Sequence, residues 1–142
     1  MSLIRLVYAS HSLLDASNRR AELDRILASA RRFNQENAIT GFLLATQGAF
    51  AQVLEGEAAA IGETYGRIES DPRHRNLRVL ADVPIAERRF AGWAMGVAEH
   101  DETTHFIFGL YGVTPEADLP EHPADALLDL AGELAGHSIH RS

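Results

Sequence analysis

The chain has 142 residues, 46% hydrophobic and 23% charged, with a formal net charge of -7, the balance of one globular domain large enough for a real core. Cysteine is absent, which excludes a disulfide framework and thiolate chemistry and fits a reducing cytoplasm. The acidic balance argues against direct nucleic-acid binding, which draws on a basic surface, and no run of about 18 apolar residues is there to span a membrane.

Met1-Ser2-Leu3-Ile4-Arg5 leads straight into a strand signal and lacks the regions of a signal peptide. Residues 3–9 alternate, with Ile4, Leu6 and Tyr8 on one face and Leu3, Arg5 and Val7 on the other. A polar stretch to Asn18 reads as a loop in which Ser17 or Asn18 can cap a helix. The helix runs to about Asn34, burying Leu23, Ile26, Leu27, Ala30 and Phe33 and leaving Arg19, Arg20, Arg31 and Arg32 in water. Strands over 38–46 and 49–55 follow, separated at their cores by Gln47-Gly48, a hairpin signal. In the second of them Phe50, Gln52 and Leu54 share a face. A second helix over 58–70 buries Ile61, Tyr65 and Ile68, and Pro72 helps end it. Strands over 77–85 and 93–97 complete the order βαββαββ.

That order predicts an α+β, ferredoxin-like sandwich with both helices on one sheet face. In the tail, Phe106 to Val113 is apolar, Pro115, Pro120 and Pro123 break the chain, and residues 124–135 are amphipathic through Leu127, Leu130, Ala131 and Leu134. The expected organisation is a core over 1–98 and a C-terminal helical extension over 99–142 packing on the other face of the sheet.

Three polar residues sit where this pattern wants apolar ones. Tyr8 lies with Ile4 and Leu6, Gln52 lies between Phe50 and Leu54, and Asn34 closes the first helix. The first and third strands of such a sheet are neighbours, so Tyr8 and Gln52 can touch. Each has a plain structural reading: a core tyrosine, a buried structural amide and a helix C-cap. Together, beside Ile26, Ile61 and Ile68, they also suit a flat heterocycle, with apolar walls for its faces and hydrogen-bonding groups for its edge.

Five separated blocks carry a resemblance. They are Leu6-Val7-Tyr8-Ala9-Ser10, Asn34 through Gly41 (NQENAITG), Gly48 through Gly56 (GAFAQVLEG), Asp71-Pro72-Arg73-His74, and Arg88 through Met95 (RRFAGWAM). In order and approximate spacing the chain, over about residues 3–98, resembles the BLUF family of blue-light sensors that use FAD. The resemblance implies a short stand-alone photoreceptor, not an enzyme. FAD would be bound non-covalently between the two helices. Tyr8 and Gln52 would be the photoactive pair, Asn34 would bond the polar edge of the ring, and Arg73 and His74 would contact the flavin. Ile26, Ala30, Ile61 and Ile68 would line it, and Trp93 and Met95, two apart and so expected to point the same way, would relay the signal. A homo-oligomer acting in the cytoplasm on a separate downstream protein is the implied assembly. Departures from the family pattern are Ala30 for a frequent Ser, Phe33 beside the Asn, Ala38 for a frequent Gly, and Ala45 for a frequent aromatic residue.

The mechanism so implied begins with a Tyr8–Gln52–flavin hydrogen-bond network. Light drives an electron and proton out of Tyr8 and back again while Gln52 reorients or tautomerises. The rivals on the same fold are an acylphosphatase-type hydrolase using Arg and Asn and a colourless small-molecule sensor. Other signals are weaker. His137 and His140 have a ligand-compatible spacing but too few companions for zinc. Glu55 and Asp71 do not read as a catalytic carboxylate pair, Gly41, Gly48 and Gly56 fit no phosphate loop, and Arg31-Arg32 and Arg88-Arg89 read as solvated charges.

Overall fold

A computed structural model describes residues 2–15, 17–114 and 119–136. Pro115 and the His137–His140 pair lie outside the described residues, and no group of three or more potential ligands able to hold a metal occurs among the described ones. The elements are β1 (Leu3–Ser12), α1 (Arg19–Glu36), β2 (Thr40–Ala45), β3 (Ala49–Glu57), α2 (Ala58–Glu69), β4 (His74–Pro84), β5 (Gly96–Glu99), α3 (His105–Leu110), a short 3-10 turn (Leu119–Glu121) and α4 (Ala124–Gly136). The sheet order is β4-β1-β3-β2-β5, with β2 and β5 parallel and the other neighbours antiparallel. The expected βαββαββ sandwich is the fold observed.

Period-two alternation divides the core into two layers. Leu6, Tyr8, Leu43, Phe50 and Leu54 face α1 and α2, meeting Leu23, Leu27 and Ile61. Val7, Ala9, Phe42, Leu44, Ala51 and Val53 face the other way and are covered by Phe108 of α3 and Leu127, Leu130, Ala131 and Leu134 of α4. Burying several such side chains on each face, at about 1.5–3 kcal/mol each, is what holds the three layers together.

Both ends of α1 differ from the expectation. Asn18 occupies the N-cap position, but its Oδ1 accepts from the Asp15 backbone at 3.2 Å and neither it nor Ser17 caps the helix with a side chain. Asp15 is the more central acceptor of that loop, taking Ser17 and Asn18 N–H at 3.0 and 3.1 Å. At the other end the helix passes Asn34 and stops at Glu36, with Asn37 as the C-cap. Ala38 then takes φ 54°, and Ile39 N–H returns to the Asn34 carbonyl at 2.9 Å. This is the left-handed closing turn for which glycine is the usual residue.

The largest correction concerns the last strand. It begins at Gly96, so Trp93 and Met95 precede it. Trp93 N–H closes a turn on the Phe90 carbonyl at 3.0 Å, Gly92 has φ 92°, and the segment leaves the ladder. Outside a ladder the alternation rule fails. Trp93 packs into the α3/α4 layer, 5.6 Å from the Phe42 ring, whereas Met95 lies in the α1/α2 layer. The two side chains therefore face opposite layers. A Cβ on Gly96 would sit 2.4 Å from Phe42 and 2.6 Å from Trp93, so this position must be glycine for the rings to pack.

Candidate functional site

The cleft between α1 and α2 is floored by the sheet. Tyr8 and Gln52 are register partners across the β1–β3 ladder, so their side chains leave the same face side by side. The Tyr8 hydroxyl donates to Gln52 Oε1. Gln52 Nε2 in turn donates to Met95 Sδ at 3.3 Å. Sulfur is a weak acceptor, and the second N–H of this amide has no acceptor among the described residues, although Gln52 is only 7% exposed. A buried amide donor without a partner costs about 1–3 kcal/mol. That donor is the strongest local sign that something else belongs in the cleft.

Asn34 supplies a second polar edge. Its Nδ2 donates to the Ala94 carbonyl at 2.6 Å, and its Oδ1 has no partner among the described residues. Ile26 and Ala30 from α1 and Ile68 from α2 supply apolar walls. The cavity volume is about 170 Å³, lined also by Arg73, His74 and Met95. Of the residues singled out in the sequence, Ile61 and Trp93 do not line it. Ile61 sits near the start of α2, against Ile39 and Gly56, and is buried core. Trp93 lies through the sheet on the other side.

Burial pushes the Tyr8 phenol far above its ordinary pKa, with the Tyr65 and Asp71 charges adding to it. Tyr8 is therefore a neutral O–H donor in the cleft. Tyr65 of α2 packs edge-on to it, ring centroids 6.0 Å apart. His74 Nε2 is 2.7 Å from the Ile68 carbonyl, which can only accept, so that nitrogen carries the hydrogen. Nδ1, 2.8 Å from the buried Ser10 hydroxyl, is then the acceptor. Both ring nitrogens are engaged by the protein, so what His74 offers a ligand is its ring.

Four contributors escaped the sequence reading. Asp71 holds Arg73 through bonds of 2.8 and 2.9 Å. Partial burial works against its charge, but the hydrogen bonds and the charge of Arg73 outweigh it and lower the Asp71 pKa. The Asp-x-Arg spacing could have signalled this pair. Arg67 lies 4.1 Å above the Phe33 ring, joining α2 to α1 at the mouth of the cleft. Nothing in the sequence pattern pairs those two. Arg31 and Arg88, expected in water, are also engaged. Arg31 Nε donates to the Met95 carbonyl at 3.1 Å, and Arg88 donates to Thr40 Oγ1 and to the Glu55 and Ala38 carbonyls.

The residues present fit a flavin. A flat tricyclic ring needs apolar faces and an edge of alternating acceptors and donors, and the cleft has Ile26 and Ile68 for the first and Gln52 Nε2 and Asn34 Oδ1 for the second. The family model described as sensors of blue light using FAD, BLUF, matches residues 3–96. Photoactivated adenylate cyclase subunit beta of Euglena gracilis is 34% identical over 106 residues, 74% of this chain and 12% of that protein. This chain thus spans only about an eighth of such relatives, a share of 12%. Among solved structures, BlsA in its photo-activated state matches with TM-score 0.80 at 30% identity, over 93% of this chain and 94% of that one. BlrB, described as a BLUF protein in its dark state, matches with TM-score 0.80 at 27% identity, over 96% and 98%.

Proposed function

Because the chain belongs to the BLUF family, blue-light sensors whose cofactor is FAD, we propose that Tyr8 and Gln52 are its light-driven switch and that residues 93–95 are the outlet. The observation that carries this reading is the Tyr8 hydroxyl bonded to Gln52, whose other end reaches Met95, all on the floor of one cleft. The ring system would lie between Ile26, Ala30 and Ile68, with its polar edge toward Asn34 and Gln52 and with Arg73 and His74 at the rim. A cavity of about 170 Å³ is too small for the whole dinucleotide, so the remainder lies at the mouth. The reading has the cofactor held without a covalent link: the chain has no cysteine, and both ring nitrogens of His74, the histidine that lines the cleft, are taken by Ser10 and Ile68.

Excited by blue light, a bound flavin is a strong oxidant. Tyr8 would be the residue to supply an electron to it together with its Oη proton, and Gln52 Oε1, already hydrogen-bonded to Tyr8, would be the nearest group to hold that proton. Both return to Tyr8, so no net oxidation remains. What persists is the orientation or tautomer of Gln52. Turned over, its amide presents nitrogen to Tyr8 and oxygen to Met95, and sulfur has no hydrogen to donate to it. The Met95 contact is then lost. A new donor at the ring edge accounts for a red shift of about 10 nm near 450 nm, roughly 1 kcal/mol and the size of one ordinary hydrogen bond.

The BLUF family is one of sensors, and its match displaces the hydrolase and the colourless sensor as readings. The same reading has residues 1–98 as the flavin core and 99–142 as the extension that passes the signal on. It also makes the chain a cytoplasmic homo-oligomer with a separate protein partner. Among the described residues no helix is long and apolar enough to cross a membrane.

Absorption spectra before and after blue light test the switch. The unaltered protein shifts to the red and recovers in darkness. Tyr8→Phe and Gln52→Leu each keep much of the FAD and lose the shift, and Asn34→Ala instead weakens binding by about 1–3 kcal/mol, the cost of unpaired polar atoms. A normal shift in either switch variant defeats the assignment.

A further inference from the structure

Three consecutive carbonyls between the end of the β4–β5 connection and β5 are each taken by a different donor. The Trp93 carbonyl accepts from Gly41 N–H at 2.9 Å, an ordinary backbone bond to the start of β2. The Ala94 carbonyl accepts from Asn34 Nδ2 at 2.6 Å and the Met95 carbonyl from Arg31 Nε at 3.1 Å. Residues 31 and 34 are three apart on α1, one above the other on the same helical face. The residue that meets Gln52 is thus held in place by two side chains of α1 and not by the sheet ladder, which begins only at Gly96.

These two anchors are not equivalent. Asn34 lines the cleft, so the side chain that holds Ala94 through Nδ2 also offers its Oδ1 to a ligand edge. Arg31 does not line the cleft, and among the described residues its part-buried guanidinium bonds only the backbone of Met95. It holds Met95 whatever Asn34 does. A charged donor on a carbonyl is among the stronger hydrogen bonds, and here it fixes the peptide next to the Met95 side chain that receives Gln52 Nε2. If Gln52 turns over and Met95 loses that contact and shifts, the Arg31 bond to its carbonyl lengthens with it, and re-forming that bond draws the segment back.

We propose that Arg31 is a positioning residue of the switch: through the Met95 carbonyl it holds the Met95 sulfur against Gln52 in the dark and sets how fast the dark arrangement is regained. This deepens, and rests on, the assignment of Gln52 and Met95 to the switch. It acts through the segment and touches neither the reacting atoms nor the ring.

The chain has only two methionines, Met1 and Met95, so methyl-labelled methionine gives one interior signal. The test uses the FAD-loaded full chain with Arg31→Met, which keeps the apolar stem and removes the donor, Arg31→Lys, which restores a charged donor, and Arg32→Met, the exposed neighbour, as control. In darkness, Arg31→Met should shift or broaden the Met95 methyl signal while Arg31→Lys and Arg32→Met leave it near its original position. After blue light, Arg31→Met should still shift to the red but recover about fivefold or more slowly, as expected for loss of one charged hydrogen bond that re-forms on the return, with Arg31→Lys close to the unaltered rate. An unchanged Met95 signal in Arg31→Met, or a recovery rate equal to that of Arg32→Met, overturns the proposal. Should Arg31→Met not fold, an Arg31→Lys protein with a displaced Met95 signal and the unaltered recovery rate overturns it equally. Absence of any red shift in the unaltered protein would sink the photoreceptor reading, and the dark Met95 signal would still decide whether Arg31 positions that residue.

Discussion

Ala38 is the one residue of the site's framework that works against its own backbone. It follows the C-cap of α1 with φ 54°, where an L-residue other than glycine costs about 1–2 kcal/mol. The turn is worth this because Ile39 N–H then reaches the Asn34 carbonyl at 2.9 Å, and Arg88 Nη2 binds the Ala38 carbonyl at 2.6 Å. Replacing Ala38 by Gly removes the strain and returns about 0.4–1 kcal/mol of freedom to the unfolded chain. The net gain is about 0.5–1 kcal/mol, or about 2–5 °C in melting temperature for a chain of this size. Ala38→Val makes the opposite change, since a branched Cβ fits the left-handed region worse than alanine. Far-ultraviolet melting of the FAD-loaded protein measures both. FAD content should hold in Ala38→Gly, because the last turn that carries Asn34 is reinforced. If Ala38→Gly melts at or below the unaltered protein, the claim that this turn is strained is wrong.

Glu55 is fully buried and binds Arg5 at 2.9 Å and the Arg89 and Phe90 N–H groups at 3.0 and 2.9 Å. Glu55→Gln cannot satisfy all of these, and urea unfolding should show a loss of about 2–4 kcal/mol; a loss under about 1 kcal/mol would mean that the connection does not depend on this anchor. For Tyr8 the folded pKa is raised above the unfolded value of about 10. Its contribution is therefore complete below that pH and is lost as pH rises above it, because the unfolded chain ionises first. Stability between about pH 10 and 12 should fall more steeply in the unaltered protein than in Tyr8→Phe, by up to about 1.4 kcal/mol per pH unit, one proton's worth, and equal slopes would show that Tyr8 ionises freely in the fold. Backbone hydrogen exchange, compared in dark and light, should differ most from residue 93 through α4; a change confined to Tyr8 and Gln52 would exclude the tail as the route.

Local pattern was enough for the layers and for the pairing of Tyr8 with Gln52. Strand alternation puts Tyr8 with Leu6 and Gln52 with Leu54, and strand order puts the two side by side. It was not enough for residues 93–95. Trp93 and Met95 have strand spacing, but a turn closed by Trp93 N–H on Phe90 and a positive φ at Gly92 send their side chains to opposite layers. The arginines failed for a related reason. Arg31 and Arg88 look like surface charges by composition, yet carbonyls left outside regular ladders need donors, and a long guanidinium stem reaches them from another element. Ile61 keeps helical spacing with Ile68, but seven residues of helix carry it about 10 Å along the axis, away from the cleft and into the core.

The opposed placement of Trp93 and Met95 gives the switch a way through the sheet. Met95 faces Gln52 on the cleft side, whereas Trp93 packs on Phe42 in the same layer as Leu127, Leu130 and Leu134 of α4. Only Ala94 separates them, so the segment crosses from one layer to the other within three residues. Just upstream, Arg89 pairs with Asp129 of α4 at 3.0 Å while its backbone N–H is held by Glu55. A segment fixed at Phe90 by Glu55 and at Gly96 by the β2 ladder has little slack, and interiors packed to crystal density pass a displacement on to their neighbours. On the proposed switch, release of Met95 by Gln52 would therefore shift the balance at Trp93, which packs in the same layer as α4. A flavin switch that stopped at the cleft would need no such crossing; a Trp93 found facing the α1/α2 layer, with Met95 unmoved, would break this connection.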